Sequence, residues 1–154
     1  MTNMTKKKQL PVDKSGRTEL THCICDPFGS DVSKKRALEL INSGVDLEQA
    51  DKMGFTYLHF AAQFENPVIV KALLENGADT NAETLMGASA LQFAVVRCKN
   101  YDLKRCLEVI KLLLEAGADP DKKSRDGFTV RDLAKDFEIP EIEELICGWN
   151  KNIS

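Results

Sequence analysis

The chain has no long apolar run. Its longest stretch without a charged side chain is the 13 residues from Thr84 to Val96. Crossing a bilayer takes roughly 18 or more, so no membrane partner is expected. No apolar segment follows the lysines at positions 6–8, so no secretory leader is expected. Cysteine is sparse and odd in number, five in 154 residues, and lacks the paired spacing of a disulfide framework. That usage suits free thiols in a reducing compartment and points to the cytoplasm. There are only two histidines, His22 and His59. Neither G-x-x-x-x-G-K-[ST] nor G-x-G-x-x-G occurs, which leaves nucleotide binding without a motif. An excess of basic residues is also missing. With 21 basic against 24 acidic side chains the formal net charge is -3, not the balance of a nucleic-acid binder.

What remains is an ordinary globular composition, 43% hydrophobic and 29% charged, in a chain long enough to bury a core without disulfides or a metal. Its organising feature is a repeat. Gly44 and Gly77 are 33 residues apart, as are Gly54 and Gly87. The segment Val70-Lys-Ala-Leu-Leu-Glu-Asn-Gly-Ala-Asp79 returns as Ile110-Lys-Leu-Leu-Leu-Glu-Ala-Gly-Ala-Asp119. Gly16 to Gly54 is 38 and Gly87 to Gly127 is 40. The excesses of five and seven fall around residues 25–31 and 99–102, and removing them restores the period. Four units follow, at about 13–48, 51–82, 84–121 and 124–149, with a disordered tail at 1–12 and a short C-terminal tail at 150–154.

Each unit reads as helix, turn, helix and loop. Thr56 suits the N-cap of a short helix running to Phe64. Asn66-Pro67 opens the next, with Asn at the cap and Pro at the first turn. Val68, Val70, Leu73 and Leu74 give that helix an apolar face, and Gly77 ends it. Leu107, Ile110, Leu113 and Leu114 repeat the pattern before Gly117. Pro140 starts the last helix, with Leu145 and Ile146 facing inward. Gly54 permits a tight turn in a β-like finger.

The residues Gly54-x-Thr56-x-Leu58-His59-x-Ala61-Ala62, followed by Leu73-Leu74-x-x-Gly77-Ala78-Asp79-x-Asn81, resemble the ankyrin repeat family over almost the whole chain. The resemblance implies an all-α, ankyrin-repeat solenoid of four helix-turn-helix units joined by finger loops. Tyr57 stands where the family's signature has Pro, Arg131 where it buries Leu, and Glu19 where Pro is usual. By the same resemblance His59 ties its finger to the neighbouring unit.

Sites of chemistry are few. Thr-His-Cys-Ile-Cys at 21–25 brings His22, Cys23 and Cys25 close in sequence. It would serve a metal or thiol-redox protein, or be a pair of buried thiols, since Cys23 and Ile24 align with the small core positions Ala61 and Ala62. Cys25 near His22 and Asp26 is the one local cluster of nucleophile and base, with nothing to form an oxyanion hole. No catalytic residue, cofactor or small-molecule substrate is expected.

The resemblance places a protein-binding face on the finger tips and the ends of the first helices. Here it is formed by Arg17, Lys52, Met53, Phe55, Phe64, Leu85, Met86, Arg97, Arg125 and Phe128. Met53, Phe55, Leu85, Met86 and Phe128 would place large apolar groups at successive tips, either as an interaction site or as cover for the next unit. Phe28 and Tyr101, in the two insertions on the opposite edge, are further contact candidates. Residues 1–17 carry five basic groups and one acid, while 132–146 carry six acids and one base, a polarity that would orient a partner. The expected function is a non-enzymatic, monomeric module that binds and inhibits another protein, most concretely an immunity protein neutralising a bacterial toxin. A viral, effector or eukaryotic regulatory scaffold binding a signalling protein is the alternative.

Overall fold

The computed structural model describes residues 6–149. All helices but the last begin after a short hydroxyl, amide or carboxylate side chain that can cap them, and the last begins at Pro140 after Ile139. Thr18, Thr56, Ser89 and Thr129 precede α1 (Glu19–Ile24), α3 (Tyr57–Gln63), α5 (Ala90–Cys98) and α7 (Val130–Asp136), each in a reciprocal capping box with the residue three further on. The second helices are α2 (Asp31–Asn42), α4 (Pro67–Glu75), α6 (Leu103–Glu115) and α8 (Pro140–Cys147). Ser30, Asn66 and Asp102 cap α2, α4 and α6 through their side chains.

The helices pack as two layers. First helices α1, α3, α5 and α7 touch in order, second helices α2, α4, α6 and α8 touch in order, and each pair packs internally. A continuous core runs between the layers, with Leu20, Ile41, Leu58, Ile69, Leu73, Leu91, Ile110, Leu113 and Ile146 fully enclosed. This is the expected all-α repeat solenoid. Tyr57, which replaces a signature proline, is buried, and its hydroxyl hydrogen-bonds Thr18 Oγ1 at 3.0 Å, locking the second unit to the cap of the first.

Three expectations change. Val68 is exposed, and Ile69 takes its place inside with Val70 and Leu73. Capping by Asn66 sets the phase of α4, and apolarity alone does not separate two neighbouring aliphatic residues. Leu145 is half-buried beside the enclosed Ile146. Residues 8–10, assigned to a disordered tail, are docked on the loop after α2. Lys8 pairs with Val45 in a parallel bridge and its carbonyl accepts from the Asp46 amide at 2.9 Å. Gln49 clasps Leu10 by accepting from its amide at 2.9 Å and donating to its carbonyl at 2.7 Å, and the Leu10 side chain is buried. The C-terminal tail at 150–154 and residues 1–5 lie outside the described residues.

Candidate functional site

Each finger is built by its own backbone. Asp51 N–H donates to Phe55 O, Gly54 N–H donates to Asp51 O at 3.0 Å, and Asp51 Oδ1 accepts from the amides of Met53 and Phe55. Thr84 to Ala88 and Ser124 to Phe128 close in the same way at 3.0 Å. The fingers are then joined edge to edge. Lys52 N–H donates to Ser15 O, Leu85 N–H to Met53 O and Arg125 N–H to Met86 O, at 3.4, 3.0 and 3.3 Å. Glycine is required where this stacking is tightest. Gly54 has φ +81° and a Cβ there would lie 2.9 Å from the Leu85 amide nitrogen.

This ladder fixes the direction of the side chains between its bonds. Met53, Leu85, Met86 and Phe128 stand in a row along the tips, each between 51% and 55% exposed. Lys52 and Arg125 are exposed among them. A depression of about 510 Å³ lined by Leu85, Gly87, Ser124 and Arg125 opens between the third and fourth fingers.

Phe55 does not project with the others. It is half-buried and stacks between units, its ring centroid 5.3 Å from Phe60, 5.0 Å from Phe93 and 5.8 Å from His59. Phe93 belongs to this aromatic floor and was missed from sequence, although Phe60 and Phe93 are 33 residues apart and so occupy equivalent places in adjacent units. Arg17 lies over the Phe60 ring at 5.3 Å with Asp51 3.9 Å away.

Phe64 and Arg97 sit apart from the tips, at the far ends of α3 and α5. The seven residues of α3 and the nine of α5 carry them roughly 10 Å along the helix axes. Arg97 stacks on Tyr101 with its Cζ 3.7 Å from the ring centroid, and its Nε faces Glu65 Oε1 at 3.8 Å. The ten predicted residues therefore divide among the finger tips, the aromatic floor and the insertion edge.

His59 is a structural residue. Its Nδ1 accepts from the Thr56 amide at 3.0 Å, so Nε2 carries the proton and donates to Ala82 O at 3.0 Å and to Ala88 O at 3.2 Å, the finger of the next unit. Burial holds its pKa below the ordinary value. The cluster at 21–25 does not converge. His22 is exposed and pairs with Asp13 at 3.0 Å, while Cys23 and Cys25 are half-buried free thiols. Burial pushes the Cys25 pKa up to about 11, which disfavours the thiolate that a metal or a redox partner needs. Among the described residues no group of three His, Cys, Asp or Glu side chains could hold a metal ion, and no helix is long and apolar enough to cross a membrane. A groove of about 800 Å³ on the other layer, between α6 and α8, was not anticipated. Leu107, Leu145 and Trp149 floor it, under a rim that mixes Lys104 and Lys111 with Glu141 and Glu144.

The repeat sequence has counterparts among known proteins. A family model described as ankyrin repeats (3 copies) matches residues 32–124, more than half of the chain. An ankyrin repeat-containing protein of Treponema pallidum is 33% identical over 71% of the chain and 35% of its own length. The Neurogenic locus notch homolog protein 1 of Xenopus laevis is 32% identical over 75% of the chain and 4% of its own length. The Ankyrin repeat, SAM and basic leucine zipper domain-containing protein 1 of Carollia perspicillata is 31% identical over 59% of the chain and 18% of its own length. The chain thus spans about a third or less of these relatives. Capped helix pairs in two layers, fingers hydrogen-bonded in series and the family match agree, and the chain belongs to the ankyrin repeat family, a scaffold for protein–protein interaction rather than for catalysis.

Proposed function

We propose that the chain works by covering a functional surface of a partner protein with its finger row, and most concretely that it is an immunity protein neutralising a bacterial toxin. The observation that carries this is the line Met53, Leu85, Met86 and Phe128, four large apolar side chains held half exposed by a hydrogen-bonded ladder. Holding them outward exposes apolar area, and such rows are characteristic of interaction sites. Lys52 and Arg125 beside them favour a partner with acidic groups around an apolar patch. A bacterial relative carries the same repeats.

The test is to identify the proteins encoded beside this gene and to coexpress the chain with any that is toxic when expressed alone; a neighbourhood without such a protein would also overturn the immunity reading. The chain should relieve toxicity and copurify as a complex. The double variant Met53→Ser with Met86→Ser should weaken the complex about tenfold or more, with an unchanged circular dichroism spectrum. Unrelieved toxicity would overturn the immunity reading, and undiminished binding by the variant would overturn the face. The reading as a regulatory scaffold for a signalling protein draws on the notch and SAM-domain relatives, in which the matching repeats form a small part of a larger protein.

A further inference from the structure

We propose that Cys98 and Cys106 form a redox-active dithiol, which a low-molecular-weight disulfide oxidises to an internal disulfide that staples the second insertion shut. The proposal is independent of the finger row and of the sulfur cluster at 21–25.

The pair is a product of the insertion. Helix α5, with nine residues, is two longer than α3, and α6, with thirteen, is four longer than α4. The extra chain of the third unit therefore goes mainly into lengthening the two helices where they meet. Cys98 is the last residue of α5 and Cys106 the fourth of α6, and these helices pack together. Both cysteines lie in the interior, 4% and 1% exposed. The Cys98 thiol donates to Ala94 O at 3.3 Å, and the Cys106 thiol is hydrogen-bonded with it across the helix pair. Two sulfurs in such contact need only a small approach to bond. Cys23 and Cys25 differ, being two apart along one turn, a spacing that does not bring side chains face to face.

Burial sets the conditions of the reaction. The facing thiol, and after it burial, push the Cys98 pKa up, so little of the attacking thiolate forms. The pair is therefore inert while the edge is closed. The link at 99–102 is exposed throughout, and contacts outside the core hold it. Arg97 stacks on Tyr101 at 3.7 Å, Lys99 Nζ lies 5.5 Å from the Phe137 ring centroid, and Asp102 accepts from the Arg105 amide at 3.2 Å. Opening such a short segment takes less free energy than unfolding the chain, and it admits the reagent.

In the open edge one thiol gives its proton to water, and its thiolate attacks a sulfur of the reagent. The reagent's S–S bond breaks. One half remains as a mixed disulfide and the other leaves as a thiolate that takes up the proton. The second cysteine, deprotonated in turn, attacks the first cysteine's sulfur and expels the remaining half. Two protein thiols are oxidised to one disulfide, and one reagent disulfide is reduced to two thiols. Excess reagent thiol reverses both exchanges. The bond then holds Arg97 and Tyr101 as one rigid edge.

The experiment uses the full chain, reduced and then incubated with oxidised glutathione, with remaining thiols alkylated before digestion. Trypsin cuts after Arg97, Lys99, Lys104 and Arg105, so the bond should appear as peptide 98–99 joined to peptide 106–111 and vanish on reduction. The oxidised chain should keep its circular dichroism spectrum and melt about 5 °C higher. Its amides at 99–103 should exchange roughly tenfold more slowly, and dithiothreitol should reverse both changes. Tyr101→Ala loosens the edge and should speed bond formation about threefold or more. Cys106→Ser should give no joined peptide and no rise in melting temperature, and the wild-type peptide map decides the linkage even where that variant folds poorly. Glutathione adducts without the joined pair, linkage of other cysteines in its place, no reaction, an unchanged melting temperature, or Tyr101→Ala reacting no faster than wild type would overturn the proposal.

Discussion

The third residue of each first helix does one job with four chemistries: Thr21, His59, Gln92 and Asp132 all close a capping box. His59 and Gln92 also reach the next finger. Gln92 Oε1 accepts from the Ser89 amide at 2.9 Å and its Nε2 donates to Phe128 O at 3.3 Å, as the ring of His59 does one unit earlier. The ring differs in being titratable. Its folded pKa is depressed below 6.5 by burial, so on acidification the unfolded chain takes up a proton before the folded one. The stability His59 contributes is complete above the unfolded pKa and is lost as pH falls below about 6.5. The lowered carboxylates Asp13, Glu19, Asp26 and Asp132 act only at more acidic pH, and Glu65, raised by burial, acts in the opposite sense. Comparison with His59→Gln cancels these other groups. Between pH 7.5 and 5.5 the wild-type melting temperature should fall more steeply than that of His59→Gln. Parallel melting curves would show that the ring keeps its neutral form for no energetic reason.

At the scale of the element, Arg131 has a reason to replace leucine. It is half-buried on α7, donates from Nε to Asp121 Oδ1 at 2.6 Å, and reaches the carbonyls of Ile146 at 2.6 Å and Trp149 at 3.2 Å. A cation thus occupies the C-terminal end of α8, where carbonyls lack helical partners and the helix dipole is negative. Arg131→Leu should restore apolar burial yet release that end, lowering hydrogen-exchange protection in the last turn of α8 by roughly 1–3 kcal/mol. Unchanged protection there would reduce Arg131 to a surface residue. The helices themselves were legible because caps and glycines recur with the period: Thr56, Asn66-Pro67, Gly77 and Pro140 all act where the sequence placed them. Docking of Leu10 was not legible, because its partner Gln49 is 39 residues away and no local pattern marks the pair. Phe55 was misplaced for a related reason. Its position in the finger specifies a tip, while the two rings that capture it, Phe60 and Phe93, come from separate units. Phe60 and Phe93 recur with the period, but the period says where each ring lies in its own unit and not which side chain of a neighbouring unit it meets.

For the whole molecule, stability follows from neighbours in a line. Helix α6 packs against α4, α5 and α8, whereas α8 packs mainly against α7 and, more lightly, α6. Such a solenoid approximates a one-dimensional chain of units coupled through interfaces, and its end unit is the one able to leave alone. Leu113 on α6 and Ile146 on α8 are both fully enclosed, so truncating either to Ala removes a similar contact and should cost about 2–5 kcal/mol. The losses should nevertheless be distributed differently. Leu113→Ala weakens a unit held on both sides, and its failure unfolds the rest with it. Ile146→Ala weakens the coupling of the last pair to the body. The single tryptophan, Trp149, packs against the core just after α8 and so reports the last unit by fluorescence, while circular dichroism reports all the helices. In urea the two signals should change together for Leu113→Ala. For Ile146→Ala the fluorescence transition should come first, at lower denaturant than the loss of helix. Coincident transitions in Ile146→Ala would mean that the four units fold as one indivisible block, with the end unit coupled as strongly as those in the middle.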